Sequence, residues 1–111
     1  MNYVRLKKRA DFGQVFKRGR TYGDRYLVLF VLHPGRAPNT RVGFTTQRSV
    51  GTAVKRNRVR RRLRALYSAY ADAVDGCGDL IFVGKKSMID APWSQLQRSI
   101  ARVLRQAGCL K

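Results

Sequence analysis

The chain has 111 residues, with 24 Lys and Arg against six Asp and no Glu, and its formal net charge is +18. This length predicts a single domain over residues 1–111 around one hydrophobic core, and a charge of this size predicts a polyanionic partner. The longest apolar run is too short to cross a bilayer, and the N-terminus carries no apolar segment of signal-peptide length. We therefore expect a cytoplasmic protein with no membrane association.

The first predicted element is a short helix that follows an extended segment over residues 1–7. Three apolar side chains share one face of this helix, namely Phe12, Val15 and Phe16. Asp11 suits the first turn, and Gly19 is predicted to end the helix in the left-handed conformation. Phenylalanines beside cations such as Arg9 and Lys17 are typical either of core packing or of a platform for unpaired bases. The residues alone favour the core.

Two strands are predicted on either side of a proline-containing loop. Residues 26–32 are a continuous apolar run, which predicts a strand buried on both faces, and Tyr22 is expected to pair briefly before it. Pro34-Gly35 and Pro38-Asn39 mark the loop, and residues 40–46 alternate as a half-exposed strand does. We expect these two strands to form an antiparallel hairpin.

The densest charge lies in a predicted helix that begins near Thr52 as N-cap and ends at Asp72, Asp75 and Gly76. Seven of the ten residues from Lys55 to Arg64 are basic. On a helical wheel, an apolar stripe about five turns long contains Val59, Leu63, Leu66, Tyr67, Tyr70 and Val74. The opposite arc contains Asn57, Arg58, Arg60, Arg61 and Arg64, with Arg62 on its border. Lys55 and Arg56 lie near the apolar side in the first turn.

Helix stability does not explain the position of these cations. Cations near a helix N-terminus oppose the macrodipole, and like charges one turn apart repel, each by a few tenths of a kcal/mol. A solvated face normally carries interspersed acids, but no acid occurs between Asp24 and Asp72. Because guanidinium groups match phosphate oxygens, the arc predicts nucleic-acid binding. It has few side chains that read base edges, which favours a folded RNA over duplex DNA.

The last third of the chain predicts one more strand and one more helix. Asp79 opens the strand, in which Leu80 to Val83 are apolar on both faces. The helix follows Pro92 and ends at Gly108, and its apolar repeat assigns Trp93 to the core together with Leu96, Ile100, Val103, Leu104 and Ala107. The order of elements predicts an α/β (α+β) two-layer sandwich with a small mixed sheet.

The remaining reactive side chains form no catalytic pattern. Cys77, Cys109 and His33 match no zinc spacing and are interpreted as structural, and the sequence leaves a disulfide between the two cysteines open. The six Asp residues lie mainly at predicted ends of elements, and we find no Ser-His-Asp, Cys-His or glycine-rich phosphate motif. We therefore predict no catalytic residue in this chain and expect another molecule to perform any chemistry.

The run Lys-Arg-Asn-Arg-Val-Arg-Arg-Arg-Leu-Arg at residues 55–64 resembles the Arg-Asn-Arg signature of the bacterial ribonuclease P protein subunit. The resemblance covers nearly the whole chain in the family's order, through Arg5-Leu6-Lys7-Lys8, Asp11-Phe12, Val15-Phe16-Lys17-Arg18-Gly19, Val42-Gly43-Phe44, Val50-Gly51, Ala53-Val54 and Asp79-Leu80. One departure is Ala65, where the family often carries an acidic residue.

This resemblance implies a subunit of an endoribonuclease in which a catalytic RNA removes the 5′ leader of precursor tRNA, with Mg²⁺ held mainly by the RNA. It implies two RNA partners, the catalytic RNA and the precursor tRNA, and no membrane or further protein partner. Contact with the catalytic RNA is assigned to Lys55, Arg56, Asn57, Arg58, Arg60, Arg61, Arg62 and Arg64. No position for a metal ion on the protein follows from it.

The same resemblance implies a cleft for the leader between the first helix and the sheet. Its matching residues are Arg9, Phe12, Phe16, Lys17 and Arg48, so that Phe12 and Phe16 would both pack and line the groove. It also implies a left-handed crossover from the strand near Phe44, through the basic helix, to the strand near Leu80. General rules would favour a right-handed one.

Two other functions share this composition. A basic ribosomal or other structural RNA-binding protein would be recovered with ribosomal RNA rather than with a ribozyme. A protein-only nuclease would cleave precursor tRNA without any RNA subunit.

Overall fold

The computed structural model describes residues 3–33, 40–74 and 76–110. Its strands are β1 (Val4–Arg5), β2 (Arg20–Gly23), β3 (Leu27–Leu32), β4 (Arg41–Thr46) and β5 (Asp79–Gly84). Its helices are α1 (Arg9–Arg18), α2 (Ala53–Ser68) and α3 (Trp93–Gln106), with short 3-10 segments at Arg48–Val50, Ala71–Ala73 and Lys86–Met88. The predicted proline loop at residues 34–39 and the helix-ending role of Asp75 lie outside the described residues.

The strands form one five-stranded mixed sheet in the order β1-β4-β5-β3-β2. β4 runs parallel to both β1 and β5, whereas β3 runs antiparallel to both β5 and β2. The predicted hairpin between β3 and β4 is therefore wrong, because β5 lies between them. β5 is buried along nearly its whole length because it is the central strand, and helices cover both faces of the sheet there.

Helices pack on both faces of this sheet. Leu27, Leu29 and Val31 of β3 belong to the main core cluster, which α2 and α3 cover. Alternate residues of β3 pack with α1 in a smaller cluster on the opposite face, where they are only half-buried rather than buried as predicted. The predicted class, an α+β sandwich with a small mixed sheet, is confirmed, and α1 adds cover on the second face.

Helix α2 begins as predicted and ends early. The side-chain hydroxyl of Thr52 accepts a hydrogen bond from the backbone N–H of Lys55 at 3.3 Å. The helix stops at Ser68 rather than near Asp72, and the short 3-10 segment Ala71–Ala73 follows it. Tyr70 and Val74 still contribute to the core from the segment that follows.

Gly19 ends α1, but not in the predicted left-handed conformation, because its φ is −73°. A Cβ atom at this residue would lie 2.5 Å from the carbonyl oxygen of Val15 and 3.0 Å from that of Val31. Glycine is required here because the helix end and β3 approach each other closely. The left-handed conformation occurs instead at Gly108, after α3, where φ is 75°.

A disulfide joins Cys77 to Cys109, with their Cα atoms 5.6 Å apart. It ties the segment before β5 to the tail that follows α3, and both cysteines are buried. The structural interpretation of the two cysteines is therefore confirmed. His33 lies exposed at the end of β3.

Candidate nucleic-acid interface

Helix α2 is held against the sheet by the apolar stripe that its sequence predicts. Val59, Leu63, Leu66 and Tyr67 are buried, and the first two are fully enclosed. Val59 and Leu63 pack over Gly84 of β5, where a Cβ atom would overlap the Val59 side chain and lie 3.3 Å from that of Leu63. Because one side of the helix is fixed in this way, the remaining side faces outward.

The outward arc of α2 is almost free of neutralising acids. Asn57, Arg58 and Arg61 are exposed, Arg60 and Arg64 are half-buried, and Arg60 donates a hydrogen bond to the Asn57 side chain. Within the described part of the chain, the ion pair made from this helix is Arg58 with Asp90, at 3.8 Å and with side chains 53% and 89% exposed. Such an exposed pair contributes at most about 1 kcal/mol, so the arc keeps its charge for an external partner.

Arg62 makes more contacts with the protein than its neighbour Arg58, whose Nε donates one hydrogen bond, to the carbonyl oxygen of Ile89 at 2.8 Å. Arg62 donates from Nη1 to the carbonyl oxygens of Met88 and Ile89 at 2.7 and 3.0 Å, and from Nη2 to that of Ala91 at 2.7 Å. Burial lowers the pKa of Arg62, and the nearby charge of Arg58 lowers it further. Its border position on the wheel corresponds to a role in holding residues 88–91 to α2.

Two other arginines of α2 have buried nitrogen atoms that form no hydrogen bond with the described residues. The Nε atoms of Arg56 and Arg64 are buried and have no hydrogen-bond partner among the described residues. A buried donor without a partner costs about 1–3 kcal/mol. Neither Nε atom therefore contributes a hydrogen bond to the stability of the isolated protein. Lys55, in the same first turn, is exposed.

The phenylalanines of the predicted leader cleft lie between α1 and the sheet. The Phe12 ring covers Gly43 of β4, where a Cβ atom would lie 2.5 Å from Phe12 Cζ, so this glycine makes room for the ring. Phe16 packs edge-to-face on Phe30 with ring centroids 4.9 Å apart, yet 42% of its surface stays exposed. Both rings pack as expected, and Phe16 also offers an open aromatic surface.

The cations assigned to this cleft occupy two places. Arg9 and Lys17 are exposed near the two ends of α1, whereas Arg48 is exposed on the 3-10 segment that follows β4. The orientation of α1 is fixed at its start, because Asp11 accepts a hydrogen bond from Arg41 of β4 at 3.2 Å. The structure thus brings Arg9, Phe12, Phe16 and Lys17 onto one element and leaves Arg48 on another.

The periodicity of α3 predicts Trp93 in the core, and this prediction is wrong. The side chain is 40% exposed, while Leu96 and Ile100 of the same repeat are fully buried. Trp93 is the first residue of α3, and the first turn of a helix need not lie over the layer that covers the rest. The guanidinium of Arg62 lies over this ring, with its central carbon 5.6 Å from the ring centroid.

A second basic row lies on α3 and was not identified from the sequence. Arg98, Arg102 and Arg105 line an open pocket beside Tyr70, at the other end of the same helix pair. Their spacing of four and three residues places them on one helical face, and this signal was available in the sequence. Arg102 is partly neutralised by Asp24 at 3.8 Å.

Three of the described acids, Asp11, Asp24 and Asp79, make structural contacts. Asp11 and Asp79 both bind Arg41, and Asp24 accepts hydrogen bonds from the backbone N–H groups of Tyr26 and Leu27 and from the Ser99 hydroxyl. Residues 3–33, 40–74 and 76–110 contain no group of three or more His, Cys, Asp or Glu side chains that could hold a metal ion. No helix in these ranges has the length and hydrophobicity needed to span a bilayer.

Comparison with known proteins places this arrangement in a family. The family model described as Ribonuclease P matches residues 1–108. The chain belongs to the ribonuclease P protein family.

Relatives of the ribonuclease P family match over most of their length. The ribonuclease P protein component of Chloroflexus aggregans is 44% identical over 107 residues, which cover 96% of this chain and 78% of the relative. That of Bacillus cereus is 29% identical over 104 residues, which cover 94% of this chain and 90% of the relative. Membership confirms the resemblance drawn from the Arg-Asn-Arg motif.

Solved ribonuclease P proteins share the fold. The protein from Staphylococcus aureus superposes with a TM-score of 0.82 at 26% identity, covering 97% of this chain and 98% of that one. The protein from Thermotoga maritima gives a TM-score of 0.79 at 22% identity over 92% of this chain and 96% of its own, which supports the fold alone. The roles of individual residues of this ribonuclease P protein stay predictions.

Proposed function

We propose that this chain is the protein subunit of ribonuclease P. It binds the catalytic RNA and the 5′ leader of precursor tRNA, and it assists the Mg²⁺-dependent endonucleolytic cut that yields mature tRNA 5′ ends. Family membership supports the assignment to ribonuclease P. The observation that carries the RNA-binding role is the outward arc of α2, whose arginines find almost no counter-charge within the chain.

In this proposal the catalytic RNA contacts α2. Arg58, Arg60, Arg61 and Arg64 contact phosphates, and Lys55, Arg56 and Asn57 extend the contact through the first turn of the helix. Guanidinium groups bind phosphates through paired N–H donors. The close packing of α2 against Gly84 keeps the spacing of these arginines constant. Arg62 acts differently from the others, because its carbonyl contacts with residues 88–91 position the helix.

The leader of the precursor tRNA lies on the other face of the sheet. Phe16 offers an exposed ring for base stacking, Phe12 supports it, and Arg9, Lys17 and Arg48 attract the phosphates. The two RNA partners therefore use opposite sides of one small domain, which lets the protein bind both together.

The chemistry is carried by the RNA subunit, and Mg²⁺ is held mainly by RNA phosphates. This division is supported by the acids of the chain, because Asp11, Asp24 and Asp79 are committed to arginine, backbone and serine contacts. We propose a cytoplasmic location, with no membrane contact and no further protein partner required.

Reconstitution tests the proposal directly. The chain is combined with ribonuclease P RNA and precursor tRNA at a Mg²⁺ concentration at which the RNA alone is nearly inactive. We expect cleavage at the 5′ end of the mature tRNA only when both components are present. Cleavage by the polypeptide alone would establish a protein-only nuclease. Absence of stimulation, together with recovery of ribosomal RNA in a pull-down, would establish a structural ribosomal protein.

A further inference from the structure

The exposed indole of Trp93 lies beside the basic arc, at the junction of α2 and α3. It lines an open pocket of about 340 Å³ together with Arg58, Arg61, Arg62 and Ala65. The indole is 40% exposed, so it stabilises the fold less than a fully buried ring of this size would. Its position among three arginines therefore points to a ligand.

The walls of this pocket are held in place before any ligand arrives. Arg62 is fixed by three backbone carbonyls, and its guanidinium lies over the indole ring. Arg58 is fixed by a hydrogen bond from its Nε to the carbonyl oxygen of Ile89 at 2.8 Å. Ligand binding therefore orders few new side chains, which reduces its entropic cost.

Arg61 and Ala65 complete the pocket on the α2 side. Arg61 is exposed and makes no hydrogen bond or ion pair with any described residue, so its guanidinium is available. Ala65 follows the basic run and contributes neither bulk nor negative charge. An acidic side chain at this residue would occupy the pocket and repel an anion.

We propose that this pocket binds one unpaired nucleotide of the RNA held on α2. The base stacks on the Trp93 indole, and its phosphate is bound by Arg61 and Arg58. Stacking on an aromatic ring flanked by arginines is how proteins bind bases that are not paired, whereas bases within a helix are inaccessible to it. The inference rests on the proposed function, because it takes α2 as the RNA contact.

The test uses Trp93 as its own reporter, because it is the only tryptophan in the chain. The intact protein is titrated with ribonuclease P RNA while both tryptophan emission and retention of the complex on a filter are recorded. We expect binding to quench the emission. A short single-stranded RNA should also quench it, and a duplex of the same length should quench it less.

Affinity for ribonuclease P RNA is then measured for Trp93→Leu and Trp93→Phe. The leucine variant keeps an apolar side chain without a π face, and it should bind about 5- to 150-fold more weakly, which corresponds to about 1–3 kcal/mol. The phenylalanine variant should recover much of this loss. Thermal unfolding of both variants separates weaker binding from a loss of folding.

A matched control exists in the same chain. Arg25 lies over the Tyr26 ring at 5.6 Å, the same distance as in the Arg62–Trp93 pair, but outside the pocket of α2 arginines. Tyr26→Leu should leave the affinity for ribonuclease P RNA unchanged. If wild-type protein binds the RNA with unchanged emission, and Trp93→Leu binds as tightly as wild type, the nucleotide pocket is refuted and the α2 interface stands. If wild-type protein does not bind the RNA, the proposed function itself fails.

Discussion

Arg41, at the start of β4, binds both carboxylate oxygens of Asp79, at the start of β5, with its Nε and Nη2 atoms 2.8 and 2.7 Å from them. The hydrogen bond to Asp79 raises the pKa of Arg41, and the charges of Asp79 and Asp11 raise it further. Desolvation of the guanidinium acts in the opposite direction and is outweighed. The same guanidinium reaches Asp11 at 3.2 Å. One side chain thus fastens two parallel strands and α1 together.

We expect Arg41→Gln or Asp79→Asn to lower the free energy of unfolding by about 1–3 kcal/mol, because each removes a charged partner from a forked hydrogen bond. Urea denaturation measures this loss. Asp90→Asn serves as the control, since its exposed contact with Arg58 at 3.8 Å should contribute less than about 1 kcal/mol. Equal losses in the two pairs would contradict the assignment.

Neutralising the arc of α2 should change how RNA binding responds to salt. Removing one phosphate contact lowers the slope of log affinity against log salt by about 0.7–0.9, so Arg58→Gln, Arg60→Gln and Arg61→Gln together should lower it by about 2–3. The measurement is filter binding of ribonuclease P RNA at several salt concentrations. Arg18→Gln with Arg20→Gln, exposed cations at the end of α1 and in β2, should leave the slope as it is. An unaltered slope in the triple variant would exclude the arc as the contact surface.

Phe16→Ala should weaken binding of precursor tRNA and spare that of mature tRNA. The expected difference is about 1–3 kcal/mol if a leader base stacks on the ring, which is 42% exposed. Affinities of the reconstituted holoenzyme for both tRNAs give the answer, and Phe16→Tyr should restore the preference. A similar loss for both substrates would indicate a packing defect through the contact with Phe30.

Reduction of the disulfide should destabilise the fold. The bridge closes a loop across a sequence separation of 32 residues, which corresponds to about 3–4 kcal/mol in the chain-entropy model. Urea unfolding with and without a thiol reductant measures the difference. The Cys77→Ser/Cys109→Ser protein should unfold like the reduced wild type and should be insensitive to reductant. A wild type that is equally insensitive would show that the bridge contributes nothing.

Alkaline pH should destabilise the protein through Tyr67. Burial raises the pKa of this phenol, and the neighbouring Tyr3 raises it further. Because the folded-state pKa lies above the unfolded value of about 10, the contribution to stability is complete below that pH and is lost as pH rises above it. Unfolding free energies of wild type and Tyr67→Phe should run parallel up to about pH 9 and diverge above pH 10, with the wild type falling faster. Curves that stay parallel would contradict this.

The sequence predicts local features well where one periodicity decides them. The side of α2 that packs on the sheet follows from the spacing of Val59, Leu63, Leu66 and Tyr67. The first residue of the helix follows from the N-cap hydroxyl of Thr52. Strand pairing depends on partners distant in the chain, so local pattern could not reveal that β5 separates β3 from β4.

In the candidate site, too, local periodicity predicts some features, whereas contacts with distant parts of the chain determine others. The exposed arc could be predicted from the wheel, but the bonds that hold Arg62 come from carbonyls 26 to 29 residues away. For Trp93, periodicity gives the direction of a side chain but not whether a neighbouring layer extends far enough to cover it. The spacing of the arginine row on α3 places it on one helical face, so this row is detectable from the sequence, although its charge is less dense than that of α2.

Gly84 touches no proposed ligand, yet it determines how high α2 stands above the sheet, since any side chain there would collide with Val59 and press on Leu63 and Met88. Replacing one hydrogen atom by a methyl group at the last residue of β5 would therefore displace all the arginines of the helix together, with no change in the charge of the chain. A substitution beneath a binding surface can in this way change the affinity for a ligand as strongly as a substitution on that surface.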